Sequence, residues 1–195
     1  MDNLLTRVAE ADEEENLIIR FTHATWSDRS LQLQLAITVF GSAPESWEVR
    51  CEDVLAYALC SENAYSIELT EDHPLLWEYK HESASAYFYR APVSADAAIG
   101  ALYEAHENAV GSWIRFGQHL NSLPGLSKLL AAGNGLLARG PVPLLTLYKE
   151  TLHPHGVEVD IRFSSPPQLE RESTKALLLG TSYVIGHSWV AEQTA

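Results

Sequence analysis

The chain has 195 residues, 46% apolar and 20% charged, with a formal net charge of −13. That composition excludes global disorder, suffices for one good-sized core, and argues against nucleic acid and anionic membranes as partners, because their phosphates recruit Lys and Arg. No apolar run approaches the roughly 20 residues that span a bilayer. The start, Met1-Asp2-Asn3-Leu4-Leu5-Thr6-Arg7, has neither the basic opening nor the apolar centre of a signal peptide, so the expected location is cytoplasmic.

Residues 1–15 hold six acids (Asp2, Glu10, Asp12, Glu13, Glu14 and Glu15) against Arg7. Leu4, Leu5 and Val8 share a helical face, yet the acidic run predicts a mobile N-terminal tail. Without it 20 acids still face 12 bases, a net charge of −8, so the body is acidic too. Residues 16–195 are expected to form a single domain. Leu17 to His23 reads as a strand, and Asp28-Arg29 as a turn. Leu31, Leu33, Leu35, Ile37 and Val39 then alternate with Gln32, Gln34, Ala36 and Thr38, which places five apolar side chains on one face of a β-strand. Trp47, Val49 and Cys51 repeat the pattern, as do Ile67 and Leu69. Val54 to Cys60 suits helix or strand equally. Trp77 and Tyr79 share a face if extended, and with Ala86 to Tyr89 they predict a hairpin around His81-Glu82-Ser83. Short strands at this spacing argue for antiparallel pairing.

Beyond Pro92 the period becomes helical. Ser94 suits an N-cap, and Ala95, Ala98, Ile99, Leu102, Tyr103 and His106 follow it, with Gly111 as a stop. Trp113 to Asn121 is either strand or loop. Leu126, Leu129, Leu130, Leu136 and Leu137 suggest helical turns broken at Gly133-Asn134-Gly135. A helix restarts after Pro141 and Pro143, with Leu144, Leu145, Tyr148 and Leu152 on one side. Val157, Val159, Ile161 and Phe163 form another alternating strand. Ser164 to Pro167 reads as a loop, and Ala176 to Ala191 as a bent strand or a hairpin. The expected fold is α+β: mainly antiparallel sheet, a central helical stretch packed on it and a C-terminal β segment.

The chemistry-bearing patterns are sparse. Asp72-His73-Pro74 places a carboxylate beside an imidazole, but neighbours on an extended chain point apart, and no Gly-x-Ser-x-Gly elbow supports a hydrolase triad. His153 and His155 at i, i+2 spacing, with Asp160, and with His187 if it folds nearby, form the alternative reading, a small metal-dependent hydrolase. Cys51 and Cys60 make no disulfide framework and read as two buried thiols. Gly133 to Pro141 lacks the Lys-Ser/Thr of a phosphate loop. No cofactor is implied. The leading expectation is a non-catalytic protein-binding protein, acidic and of the inhibitor or immunity character, with a basic protein or a second copy of itself as partner. Its surface would comprise Asp72, His73, Trp77, Tyr79, Tyr87 and Tyr89, since exposed Tyr and Trp anchor interfaces. A small apolar-ligand binder is a further alternative.

Overall fold

A computed structural model describes residues 1–12, 17–39, 42–60, 63–121, 123, 125–163 and 173–194. In chain order these form α1 (Asp2–Asp12), β1 (Leu17–Ser27), β2 (Ser30–Val39), β3 (Glu45–Glu52), β4 (Ala56–Ala58), β5 (Asn63–Ala64) and β6 (Ile67–Thr70). A 3-10 turn (Pro74–Leu76) leads into α2 (Trp77–Lys80), β7 (Ser83–Tyr89), α3 (Ala95–Val110), α4 (Leu126–Ala131), β8 (Asn134–Pro141) and α5 (Val142–Leu152). The remainder is β9 (Glu158–Phe163), β10 (Lys175–Leu179), β11 (Ser182–Gly186) and β12 (Ser188–Thr194). The fold is α+β with three antiparallel sheets, as the strand alternation and the central helical stretch predict. No helix among the described residues is long and apolar enough to cross a membrane. Internal contacts divide the chain into two compact units, Met1–Leu76 with Glu172–Ala195, and Trp77–Arg171.

In the first unit a five-stranded sheet, β12-β3-β2-β1-β5, and a four-stranded sheet, β4-β11-β10-β6, contribute to one core. The alternation of β2 sets it: Leu31, Leu33, Leu35, Ile37 and Val39 are buried with Leu177, Leu179 and Val184. The acidic tail expected over residues 1–15 is instead, across Asp2–Asp12, the packed helix α1. Leu4, Val8 and Ala11 recur at helical spacing and enter the same core, which outweighs the solvation of the acids on the other face. Glu13, Glu14 and Glu15 lie outside the described residues. Of the two readings of the C-terminal run, the hairpin is found: β10 and β11 join through Gly180, whose φ of 59° is one glycine adopts readily. After Gly186 the chain changes sheets, and β12 pairs with β3.

In the second unit β8-β7-β9 form a three-stranded sheet. Ala84, Ala86 and Phe88 of β7 are buried with Ala98 and Leu102 of α3 and Leu144, Leu145 and Tyr148 of α5. Alanine at two of the three β7 positions lets the helices sit close. Ser94 caps α3 by accepting from the Ala97 N–H at 3.3 Å, and Gly111 ends it at φ 54°. Two expectations fail here. Trp77 and Tyr79 form no strand, because α2 winds them onto different sides of a helical turn. Leu136 and Leu137 belong to β8, since Gly133 (φ 76°) and Gly135 (φ 149°) turn the chain out of α4 into extended backbone. The loop expected over Ser164 to Pro167 lies outside the described residues.

Candidate functional site

The six residues singled out from sequence fall in both units. Asp72 and His73 belong to the first, Trp77, Tyr79, Tyr87 and Tyr89 to the second. Asp72 and His73 build a local turn. The Asp72 N–H donates to Thr70 Oγ1 at 3.2 Å, and His73 Nδ1 accepts the Leu75 N–H at 3.3 Å. Pro74 opens the 3-10 turn, where its missing N–H costs nothing. Burial lowers the His73 pKa from its ordinary 6.5, with the charges of Glu68 and Asp72 opposing. A depressed folded pKa means the unfolded chain binds more protons in this range. The stability that neutral His73 contributes is therefore present above 6.5 and is lost as pH falls towards the folded value. Lowering the pH from about 7 to about 5 is expected to reduce the urea midpoint, and His73→Asn, which keeps an acceptor but cannot titrate, is expected to shrink that drop. An equal drop in both proteins would remove His73 as a cause.

The second unit carries the more developed surface. On β7, Tyr87 and Tyr89 alternate with buried Phe88 and so lie on the sheet face away from the helices. Register places Tyr87 opposite Asp160 and Tyr89 opposite Glu158, with Ser85 opposite Arg162. Arg162 joins the set: Nε donates to Asp160 Oδ2 at 2.9 Å, Nη2 donates to the Tyr89 hydroxyl at 2.9 Å, and the guanidinium carbon lies 5.1 Å from the centre of the Tyr87 ring. The hydrogen bond to Asp160 is the main reason the Arg162 pKa is raised further. Tyr87 is half-buried under that guanidinium and Tyr89 is 41% exposed. At the end of β7, Arg90 takes a left-handed φ of 75°, a conformation non-glycine residues seldom adopt, and its Nη2 lies 3.1 Å from Glu158 Oε1. Leu136 and Arg139 of β8, opposite Tyr87 and Ser85, extend the same face. Trp77 is half-buried against the core of this unit.

No family model matches this chain, and comparisons with curated proteins and with solved structures find no match. Function rests on the geometry alone.

The residues of the alternative metal site do not form one group among the described residues. His153 and His155 sit on a 3-10 turn (His153–His155), whose three residues per turn direct i and i+2 side chains to different sides, unlike an extended segment. Asp160 is engaged by Arg162. His187 belongs to the first unit, where the Ser173 and Thr174 hydroxyls approach its Nδ1 at 3.1 and 3.4 Å. Among the described residues no three His, Cys, Asp or Glu side chains are grouped to hold an ion. One proximity had no sequence signal: His119 Nε2 lies 3.5 Å from Glu78 Oε1, while Nδ1 lies 3.1 Å from the Arg139 carbonyl oxygen and so donates to it.

A cleft of about 420 Å³ in the first unit is lined by Asn3, Thr6, Arg7, Glu10, Glu45, Trp47 and Gln193. Arg7 Nη2 donates to Glu45 Oε1 at 2.6 Å, which lowers the Glu45 pKa despite opposing burial, and Trp47 Nε1 donates to Glu45 Oε2 at 3.4 Å. This lining is polar, unlike the apolar pocket a small apolar ligand needs. Of the two cysteines, Cys51 is buried, and desolvation pushes its thiol up to about 12, so it stays protonated and inert. Cys60 is exposed, contrary to the expected pair of buried thiols, because it follows the short edge strand β4.

Proposed function

We propose that this chain is a non-catalytic protein-binding module whose contact surface is the Tyr87–Tyr89–Arg162 face of the β8-β7-β9 sheet. The observation that carries the reading is the threefold restraint on Arg162, by Asp160, Tyr89 and Tyr87. Tyr and Arg supply most of the binding energy at interfaces, and a side chain already ordered in the free protein loses less entropy on association. The sheet gives this group a rigid base, since Phe88 between the tyrosines is fully buried. Asp72 and His73, engaged in their own turn in the first unit, are left out of the proposed surface. The partner is another protein or a second copy of the chain.

Tyr89→Ala and Arg162→Ala are the tests, with the fully exposed Val93 changed to Ser as control. Each test variant is expected to stay folded and to weaken self-association in sedimentation, or affinity for a partner co-purified with the wild type, by about tenfold. Val93→Ser is expected to match the wild type. A wild-type protein that remains monomeric and returns the same co-purified proteins as both variants would sink the reading.

A further inference from the structure

We propose that Trp26 and Tyr57, in the first unit, form a second binding platform that receives a Lys or Arg side chain from a basic segment of a protein partner. The two rings stack with centroids 5.3 Å apart and planes at 28°, and they are 47% and 49% exposed. By contrast, Trp47 in the same unit is 6% exposed. The exposed faces of the pair therefore project from the folded unit.

A local irregularity in β1 aims Trp26 there. Leu17, Ile19 and Phe21 lie opposite Val39, Ile37 and Leu35, all on the core face. The register shifts between Phe21 and His23, so the parity of the strand changes. Beyond it Ala24 and Trp26, in place of His23 and Thr25, lie opposite the buried Leu33 and Leu31. A bulge re-aims side chains in this way, and without it Trp26 would point to the other side of the sheet. Tyr57 comes from the four-stranded sheet, on edge strand β4, opposite buried Val184. The two sheets that share the core thus each send one ring to its rim. Leu55 and Leu59, each 37% exposed, flank Tyr57 at two-residue spacing and widen the apolar surface.

Charge selects the occupant. The first unit holds 17 Asp and Glu against 5 Lys and Arg, whereas the second holds 9 against 8, so nearly all the acid excess lies in the first. Beside the platform, Asp28 forms the turn after β1, Glu52 ends β3, and Asp53 follows it. Arg29 in the same turn is held to this edge: its carbonyl accepts the Val54 N–H at 2.9 Å, and its Nη1 lies 3.7 Å from Asp53 Oδ1. Aromatic faces attract cations through their quadrupole, and an acidic field draws a basic segment towards them. A second copy of the same acidic surface would be repelled, and so would nucleic acid.

Isothermal titration of the full chain with a Lys- and Arg-rich peptide free of aromatics, and with an acidic peptide of equal length, tests this. The basic peptide is expected to bind saturably and the acidic one not at all. Trp26→Leu and Tyr57→Leu retain apolar bulk but remove the ring faces, and each is expected to weaken binding roughly threefold to tenfold. Val93→Ser, on the other unit and outside both proposed surfaces, is expected to leave it unchanged. Binding within about twofold of wild type in both Leu variants, equal binding of the acidic peptide, or no saturable binding of the basic one would overturn the proposal. Because Tyr89 and Arg162 are tested separately, this platform and the sheet-face reading fail independently.

Discussion

Gly186→Ala is expected to destabilise the first unit by about 1–3 kcal/mol, as overpacking of a filled interior does. A methyl placed on Gly186 would lie 2.3 Å from Cys51 Sγ and 3.2 Å from the Glu52 carbonyl oxygen. Gly186 has no positive φ, so the cost is steric and not conformational. Cys51 is 1% exposed, and its sulfur has little room to swing aside. The position is the corner where the chain leaves β11 and, through His187, whose N–H donates to Glu52 O at 3.3 Å, enters β12 in the other sheet. Close backbone approach at such a corner is what glycine permits. If the sulfur is the obstacle, Cys51→Ala should relieve most of the clash. Urea denaturation of wild type, both single variants and the double variant is expected to give a smaller Gly186→Ala penalty in the Cys51→Ala background, by about 1 kcal/mol. Additive penalties would place the obstacle in the Glu52 backbone instead.

The parts of this fold legible in the sequence are those with a sustained period. The five alternating residues of β2, the apolar side of α5 and the Ser94-to-Gly111 span of α3 each repeat often enough for burial to override local ambiguity. Where the structure departs from expectation, the cause is short or non-local. Four residues of α2 are too few to show a helical period, so Trp77 and Tyr79 mimic a strand. Two left-handed glycines redirect Leu136 and Leu137, which a count of leucines cannot reveal. The acidic run at residues 10–15 masks the signal of Leu4, Val8 and Ala11, although their spacing is helical. Within the second unit's surface, the shared face of Tyr87 and Tyr89 follows from alternation. The arrival of Arg162 depends on the register of β7 with β9, strands separated in the chain by α3, α4, β8 and α5. Trp26 is harder still, because a shift of one residue in β1 leaves no mark in composition, yet it decides which face the indole takes.

Tyr148→Phe is expected to cost roughly 1–3 kcal/mol, although it removes a single oxygen, because it leaves a buried polar atom without a partner. His106 of α3 is fully buried, with Nε2 2.6 Å from the Ile114 carbonyl and Nδ1 2.8 Å from the Tyr148 hydroxyl of α5. A carbonyl only accepts, so Nε2 carries the proton. Nδ1 then presents its lone pair, and Tyr148 donates to it. Burial raises the Tyr148 pKa, which keeps the phenol a donor. One imidazole thus ties α3 both to α5 and to the segment after its own C-terminus, in the layer that backs Phe88 and hence the Tyr87–Tyr89 face. Phenylalanine keeps the ring packing and strands only Nδ1. His106→Leu strands the Tyr148 hydroxyl and the Ile114 carbonyl together, so it is expected to cost more than Tyr148→Phe. Adding Tyr148→Phe to His106→Leu is expected to recover part of that loss, because the unpaired hydroxyl is then gone. Urea midpoints of the three variants check the order, and hydrogen exchange of α3 and α5 locates the effect. An unchanged midpoint for Tyr148→Phe would show that the hydroxyl contributes nothing to holding these helices together.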